Sequence, residues 1–586
     1  MTTFLQNTAS TLLERDFPRT TRSLVDEYAT GEYEGYSLDA WVFDDRQERQ
    51  WAENTLKKAG LKAHVRSAYK PLVHFFIEEF TWNDLSSLTI EYPTLDNAPQ
   101  RFLLEAYPLS AMLPDGVTLH WIAIETSTPY YRVKATRASG TDDIHVVAAP
   151  NRHHTDHVGQ AQCSPCGWLQ LTSPDGTVEQ REVLTDYEAL FQSAIRVISQ
   201  HPWGAHAPYF DTLKFTVHLP CHDQRLNWGD EHISLAEALH EDLYFSVLEY
   251  FQHYAGLPLG DRSIQPGQIV PEVLTKGSAP YLGITLEPLT LADPSRERVS
   301  LDTAQSALGV EQLTEILDAL GGQPLEAQTR AGRRVNARYI EGSDRPVIIS
   351  AGQHANEPSG IVGALRAGTA LSQRPGAHFV LSPLENPDGY ALQGHLVASQ
   401  PRHMHHAARY TAFGNDLQNQ PLGEPFELAI REQAVATSGP ALHVNLHGYP
   451  AHEWTRPLTG YVPRGFDMWT IPKGFFLIVR HRAGMQNAAE QLIEAVTRSL
   501  SKVPGLVDFN ATQVAHFEAH AGSLTFPMRH GFPYLLAEDD DQLTPLMLIT
   551  EYPDETLSGH AFVQAHTAQM ETVLSAYTAY QDLRFE

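Results

Sequence analysis

At 586 residues the chain is too long for one hydrophobic core; domains usually run to ~100–200 residues, so two or three are expected. Apolar residues make up 42% and charged residues 19%, enough to fill sizeable cores and to exclude wholesale disorder. The formal charge of −28 disfavours sequence-independent binding to nucleic acid, which relies on Lys and Arg neutralising phosphates. No apolar run reaches ~18 residues, so no transmembrane helix and no membrane partner are expected. The first residues, Met1 to Thr8, lack the basic start and apolar core of a secretory signal. Three cysteines cannot build a disulfide framework, which fits a reducing, cytoplasmic setting.

Residues 1 to about 65 mix a polar helical pattern with an aromatic stretch at 33–43, and no chemistry can be read there. From about 69 to 184 short alternating runs such as 117–124 read as strands. Segments 168–172 and 177–180 flank Ser173-Pro174-Asp175-Gly176, the composition of a hairpin turn. Cys163-Ser164-Pro165-Cys166 follows His153, His154 and His157. Such a group either holds a structural zinc or is a loop whose thiols have no partner, since a second Cys-x-x-Cys is missing and Cys221 stands alone beside His222.

Ser234-Leu235-Ala236-Glu237 has the form of a capping box. Leu239, Leu243, Val247 and Phe251 follow at helical spacing, and Gly256 ends the helix, with His240, Glu241 and Glu249 expected on its solvent face. Residues 257–300 are rich in Pro and Gly without a sustained period and read as an irregular linker that lets the two halves fold separately. Residues 1–300 are thus expected to be a β-rich α+β accessory region of one or two subdomains. No ordered set of nucleophile, base and oxyanion donors is visible in it.

From residue 301 onward the pattern changes. A helix is expected over 303–320, strands over 334–340, 347–349 and 378–381, and a helix over 486–501. Strands alternating with helices favour an α/β domain over 301–586, with a mixed, mostly parallel sheet flanked by helices. The acidic run Glu538-Asp539-Asp540-Asp541 reads as a solvated loop.

The apolar run Val347-Ile348-Ile349-Ser350-Ala351 ends at Gly352, and His354 and Glu357 follow just before a helix begins near Pro358. An imidazole and a carboxylate three residues apart can grip one divalent ion and leave room for a third ligand and a water, the geometry of an open zinc site. Alone this pair is a weak signal. Downstream stand Asn386-Pro387-Asp388-Gly389 and His447, which closes the apolar strand 441–447 and lies 93 residues after His354. A late Glu551 closes another apolar strand, 546–553, before a terminal helix expected over 558–580.

This ordered set resembles the zinc metallocarboxypeptidases, the carboxypeptidase A-like family, over the C-terminal half only. The resemblance implies Zn²⁺ held by His354, Glu357 and His447. His443 is a rival on the same strand face. It implies Glu551 as the catalytic base, with Glu538 in the similar segment 531–538 as the competitor. Arg402, 16 residues past Asn386, falls about where the family places the arginine that polarises the scissile carbonyl, and Arg409 is its local rival. Asn386 and Asp388 are expected to shape the turn. The family's carboxylate-binding Asn-Arg pair falls on Gln418-Asn419, so the arginine that grips a free C-terminus is missing there, unless Arg456 or Arg529 supplies it. The expected activity is zinc-dependent hydrolysis of an amide bond in a peptide or small amide. A deacylase or amidase acting on a modified amino acid or small acylated compound is the alternative, and a non-catalytic zinc-binding scaffold is a third. The accessory region is expected to restrict access to the zinc.

Overall fold

The structure, a computed structural model, describes residues 5, 8–95, 98, 100–126, 129–290, 292–439 and 442–583. Ala441, the expected start of the His447 strand, lies outside the described residues, as do residues 1–4, 6 and 7 of the amino-terminal stretch.

The chain has a mixed α/β fold. Its C-terminal half is built on a nine-stranded sheet in the order Gln323–Gln328, Arg334–Ile340, Phe379–Ser382, Val347–Ala351, Leu442–Tyr449, Leu546–Pro553, Phe476–His481, Phe532–Glu538, Met528–Arg529. The four strands from Phe379–Ser382 to Leu546–Pro553 are parallel. Antiparallel neighbours close both of their flanks, and a single further parallel pair lies beyond. The sheet is mixed as expected, but parallel pairing dominates only its centre. Side-chain pattern reports burial and not strand direction, so the antiparallel outer strands were not readable.

Leu442–Tyr449 is buried at every position, the continuous pattern of a strand covered on both faces. On one face Val347 and Ile349 pack with Ile361 and Leu365 of helix Pro358–Ser372 and with Ala576 of helix Gly559–Asp582. On the other, Ile348 and Val380 meet Ile430 and Ala434 of helix Ala429–Ser438. The helix expected from residue 303 begins only at Val310, after Gly309, and runs to Ala319.

The N-terminal half contains three four-stranded sheets, and Gly167–Thr172 pairs antiparallel with Val178–Val183 across the expected turn. Residues 257–300 are irregular only in part. They contain strands Gln268–Leu274 and Tyr281–Glu287, which join Thr212–His218 and Ser10–Asp16 in one sheet. Pro271 is tolerated because its strand lies at the sheet edge, where a missing N–H breaks no ladder.

The helix over Leu235–Tyr254 overturns the expected solvent face: His240, Glu241 and Glu249 are all buried. Its polar side meets the C-terminal half. The Glu241 carboxylate lies 2.6 Å from His406 Nδ1. Asp242 accepts from the Leu458 N–H at 2.8 Å and the Thr459 hydroxyl at 2.7 Å. Glu249 takes a bidentate pair of bonds from Arg456 at 2.7 and 2.9 Å. Leu239, Leu243 and Phe245 share one core with Met404, Tyr410, Trp454 and Leu458. Charged residues at helical spacing look the same whether they face water or a complementary protein wall. Among the described residues, no helix is long and apolar enough to cross a membrane.

Candidate metal centre

Three parallel strands deliver the site at their C-terminal edge, where open α/β sheets place ligands. After Ala351 the chain turns at Gly352, whose φ of +64° suits glycine and whose absent Cβ avoids Leu384 at 3.0 Å. His354 and Glu357 then precede helix Pro358–Ser372, which opens with proline where no intrahelical N–H is required. The neighbouring strand supplies His447, opposite Glu551 of the next strand. A Cβ on Gly448 would fall 2.0 Å from Asp554 Oδ1, so glycine alone permits this approach. The Gly448 N–H thereby donates to Glu357 Oε2 at 3.0 Å.

His354 Nδ1 lies 2.8 Å from Glu357 Oε1, and His447 Nδ1 lies 3.0 Å from His354 Nδ1 and 3.1 Å from Glu357 Oε2. The three side chains are buried and form a group able to hold a metal ion. The far nitrogens are engaged elsewhere: His354 Nε2 lies 3.3 Å from Asp416 Oδ2, and His447 Nε2 lies 2.8 Å from the Asn445 amide. An outer acceptor such as Asp416 fixes which nitrogen of His354 faces a cation. Two facing Nδ1 atoms and a carboxylate repel one another unless a proton or a cation lies among them. Ligand atoms on a tetrahedral zinc with bonds of ~2.0 Å stand roughly 3.3 Å apart, so the donor set and spacing fit such an ion.

Burial raises the Glu357 carboxyl, but the two imidazoles outweigh it and hold the group well below its ordinary range. Burial lowers His447 to about 4 against the pull of Glu357, which keeps the ring neutral and able to ligate. Glu551 is pushed well above the ordinary carboxylate range by burial and by the nearby Glu357. Asp416 is held low despite burial, chiefly by His354.

These groups lie on a cavity of about 470 Å³ that Glu551, Arg409, Gln418 and Asn419 also line. Gln418 and Asn419 are exposed at its rim. Arg402 is not brought to the site. It is exposed just after helix Pro387–Ser399, whereas residues 403–408 turn inward and carry Arg409 into the cavity, its Nη1 donating to Glu357 Oε1 at 2.9 Å. Glu538 is exposed, two strands from Glu551, and does not line the cavity. His443 lies on the face of His447 but four residues deeper, ~13 Å along a strand, and bonds Ser350 Oγ at 2.6 Å. Asn386 caps helix Pro387–Ser399 by accepting the Gly389 N–H at 2.9 Å, and Asp388 accepts from Thr329 Oγ1 at 2.8 Å. Arg456 is locked to Glu249 and Arg529 lies 3.6 Å from Glu494; neither lines the cavity, whereas Arg262, Arg431 and Arg480 do. Cys163 and Cys166 are buried thiols outside every metal-holding group found among the described residues.

Sequence reasoning passed over Asp416. It stands two residues before Gln418, but an acceptor for a ligand's far nitrogen has no fixed spacing from that ligand.

No protein-family model matches the chain, and no curated protein matches it. Among solved structures it is similar to a metallo-carboxypeptidase from Burkholderia cenocepacia, at 12% identity over 53% of this chain and 77% of that one, with a TM-score of 0.29. It is also similar to bovine thrombin-activatable fibrinolysis inhibitor in complex with tick carboxypeptidase inhibitor, at 7% identity over 47% of this chain and 96% of that one, with a TM-score of 0.28. Structural neighbours that carry metallopeptidase and metallo-carboxypeptidase names thus cover about half of this chain, at low similarity.

Proposed function

We propose that the chain is a hydrolase of amide bonds of the metallocarboxypeptidase type, with Zn²⁺ held by His354, Glu357 and His447. The observation that carries this reading is the convergence of two imidazole Nδ1 atoms and a carboxylate within 3.1 Å of one another on a cavity that Glu551 also lines. When bound, the ion supplies Lewis-acid activation of water and of the scissile carbonyl. Glu551 accepts the proton of the attacking water and returns it to the leaving amine, and burial together with Glu357 raises its affinity for that proton. Arg409, already inside the cavity, takes the part of the carbonyl-polarising guanidinium in place of Arg402. Residues 301–586 carry this chemistry and residues 1–300 are the accessory region.

A second reading, a deacylase or amidase for a small acylated compound, is favoured by one residue: Asn419 stands where the carboxylate-binding arginine is expected, and an amide does not replace a bidentate salt bridge. Metal analysis and paired peptides test both. Purified protein is expected to bind one equivalent of zinc at this centre, which His354→Ala removes, and to hydrolyse amide substrates. A strong preference for free over amidated C-termini selects carboxypeptidase, and equal turnover selects the amidase. Bound zinc with no hydrolysis of any acyl library, unchanged in Glu551→Gln, leaves only the scaffold reading.

A further inference from the structure

We propose that the seam between the two halves contains a second divalent-cation site, formed by His232, Glu237 and His452, with His403 and Asp223 beside it. This inference does not depend on the first centre.

His232 Nε2 lies 2.8 Å from Glu237 Oε2, and His452 Nε2 lies 2.8 Å from Glu237 Oε1. The side chains are 3%, 6% and 0% exposed, so water does not solvate them. His403 Nε2 sits 2.6 Å from Asp223 Oδ2, and its ring is stacked with that of His232 at 5.8 Å between centroids. Two ligand sets share one histidine here: His232 with Glu237 and His452, and His232 with His403 and Asp223.

Hydrogen bonding accounts for His452 and His403, but not for His232 Nε2. His232 Nδ1 lies 3.2 Å from the Asp230 carbonyl, which can only accept, so Nδ1 carries a proton and the neutral form of the ring presents a lone pair at Nε2. That lone pair faces a carboxylate oxygen at 2.8 Å, yet Nε2 makes no hydrogen bond of acceptable geometry. Two atoms this close that do not point at each other are arranged as ligands sharing a third centre. The Asp230 carbonyl is then the outer partner that orients a ligating imidazole.

Charge argues the same way. Asp223, Asp230, Glu231 and Glu237 crowd three imidazoles, while the nearest buried ammonium, Lys70, is paired with Glu453. Of these, Glu231 and Glu237 are buried, and buried carboxylates require positive charge nearby. The capping box is diverted to this end: Ser234 Oγ accepts from the Glu237 N–H at 3.0 Å, but the Glu237 carboxylate turns to the histidines and to the Met404 N–H at 2.7 Å.

The N/O donor set suits zinc or a similar borderline ion. None of His232, Glu237 and His452 lines the cavity of the first centre, so the site is closed and structural, not catalytic. Asp223 borders a separate surface cavity of about 220 Å³. Asp223, His232 and Glu237 belong to the N-terminal half and His403 and His452 to the C-terminal half, so one ion would clamp the two together.

The test is zinc stoichiometry on the full-length protein after equilibration with zinc and removal of excess, for wild type, His354→Gln and His232→Gln. The expected result is two equivalents in wild type and one in each variant, with His232→Gln also melting earlier than wild type when both are zinc-loaded. His354→Gln leaves the seam intact, so it decides the matter even if His232→Gln does not fold: one equivalent retained supports the site, and none overturns it. If wild type binds one equivalent that His354→Gln keeps and His232→Gln loses, the seam site stands and the first centre falls.

Discussion

The cavity cluster at His354 and the seam cluster at His232 are made of the same side chains at nearly the same separations, and they differ in what surrounds them. The first opens onto a cavity of about 470 Å³ with Glu551 on its wall, whereas the second is sealed between helix Leu235–Tyr254 and the loops around His403 and His452. Their ligand carboxylates, Glu357 and Glu237, respond alike and are held low by their histidines, and the contrast lies with Glu551 beside the first. Glu237 is held well below its ordinary range despite burial, by His452 and His232, and Glu551 is pushed well above its own by burial beside Glu357. A cluster of ligands is therefore not evidence of catalysis by itself. An accessible face and a neighbouring carboxyl with raised proton affinity are what would distinguish a reactive centre from a clamp.

The largest expected effect tests the seam as a whole. A chain starting near Leu301 strips Met404, Tyr410, Trp454 and Leu458 of their apolar partners and leaves Arg456 and Arg330 without Glu249 and Asp211. Breaking a buried ion pair costs ~3–5 kcal/mol, and two such losses rival a total stability of ~5–15 kcal/mol. Insoluble or non-cooperatively melting protein is expected by circular dichroism. A soluble fragment with a sharp transition and full turnover would show that the halves are independent.

The cavity side is tested by Glu551→Gln, expected to keep its zinc while kcat falls ~10²–10⁴-fold, the usual contribution of a positioned acid–base group. Arg409→Ala should lower kcat by ~10²–10³, whereas Arg402→Ala should leave it near wild type. Equal losses at the two arginines would return the carbonyl-polarising part to an open question.

The smallest effect lies away from both clusters. Glu427 is buried and pushed up to about 8 by that burial and the charge of Asp388, with one oxygen accepting from Gln420 Nε2 at 2.6 Å. Between its ordinary value and 8 the folded chain binds a proton that the unfolded chain has lost, so this group's contribution to stability falls as pH rises through that window. Glu427→Gln should therefore melt less pH-dependently than wild type between about pH 4.5 and 8. Parallel melting curves for the two proteins across that range would show that Glu427 is ionised in the fold.

The sequence by itself determined the elements whose partners lie close along the chain. Val347–Ala351 read as a buried strand because every residue is apolar or small, His354 and Glu357 share one turn, and the helices at Gln486–Leu500 and Gly559–Asp582 followed from their period. It also marked His447 and Glu551 as strand-end residues, though not that their strands are neighbours in register. Tertiary structure decided the rest. It selected Arg409 over Arg402 for the cavity by turning the chain inward after residue 402, and it brought Asp416 to His354 from 62 residues away. It also converted the polar side of helix Leu235–Tyr254 from an expected solvent face into the seam, where His406, Arg456 and Thr459 meet its carboxylates. The physical reason is common to all three. Local pattern records whether a side chain is apolar, but a polar side chain is satisfied equally well by water or by a distant complementary group, and only the folded chain determines which of them it meets.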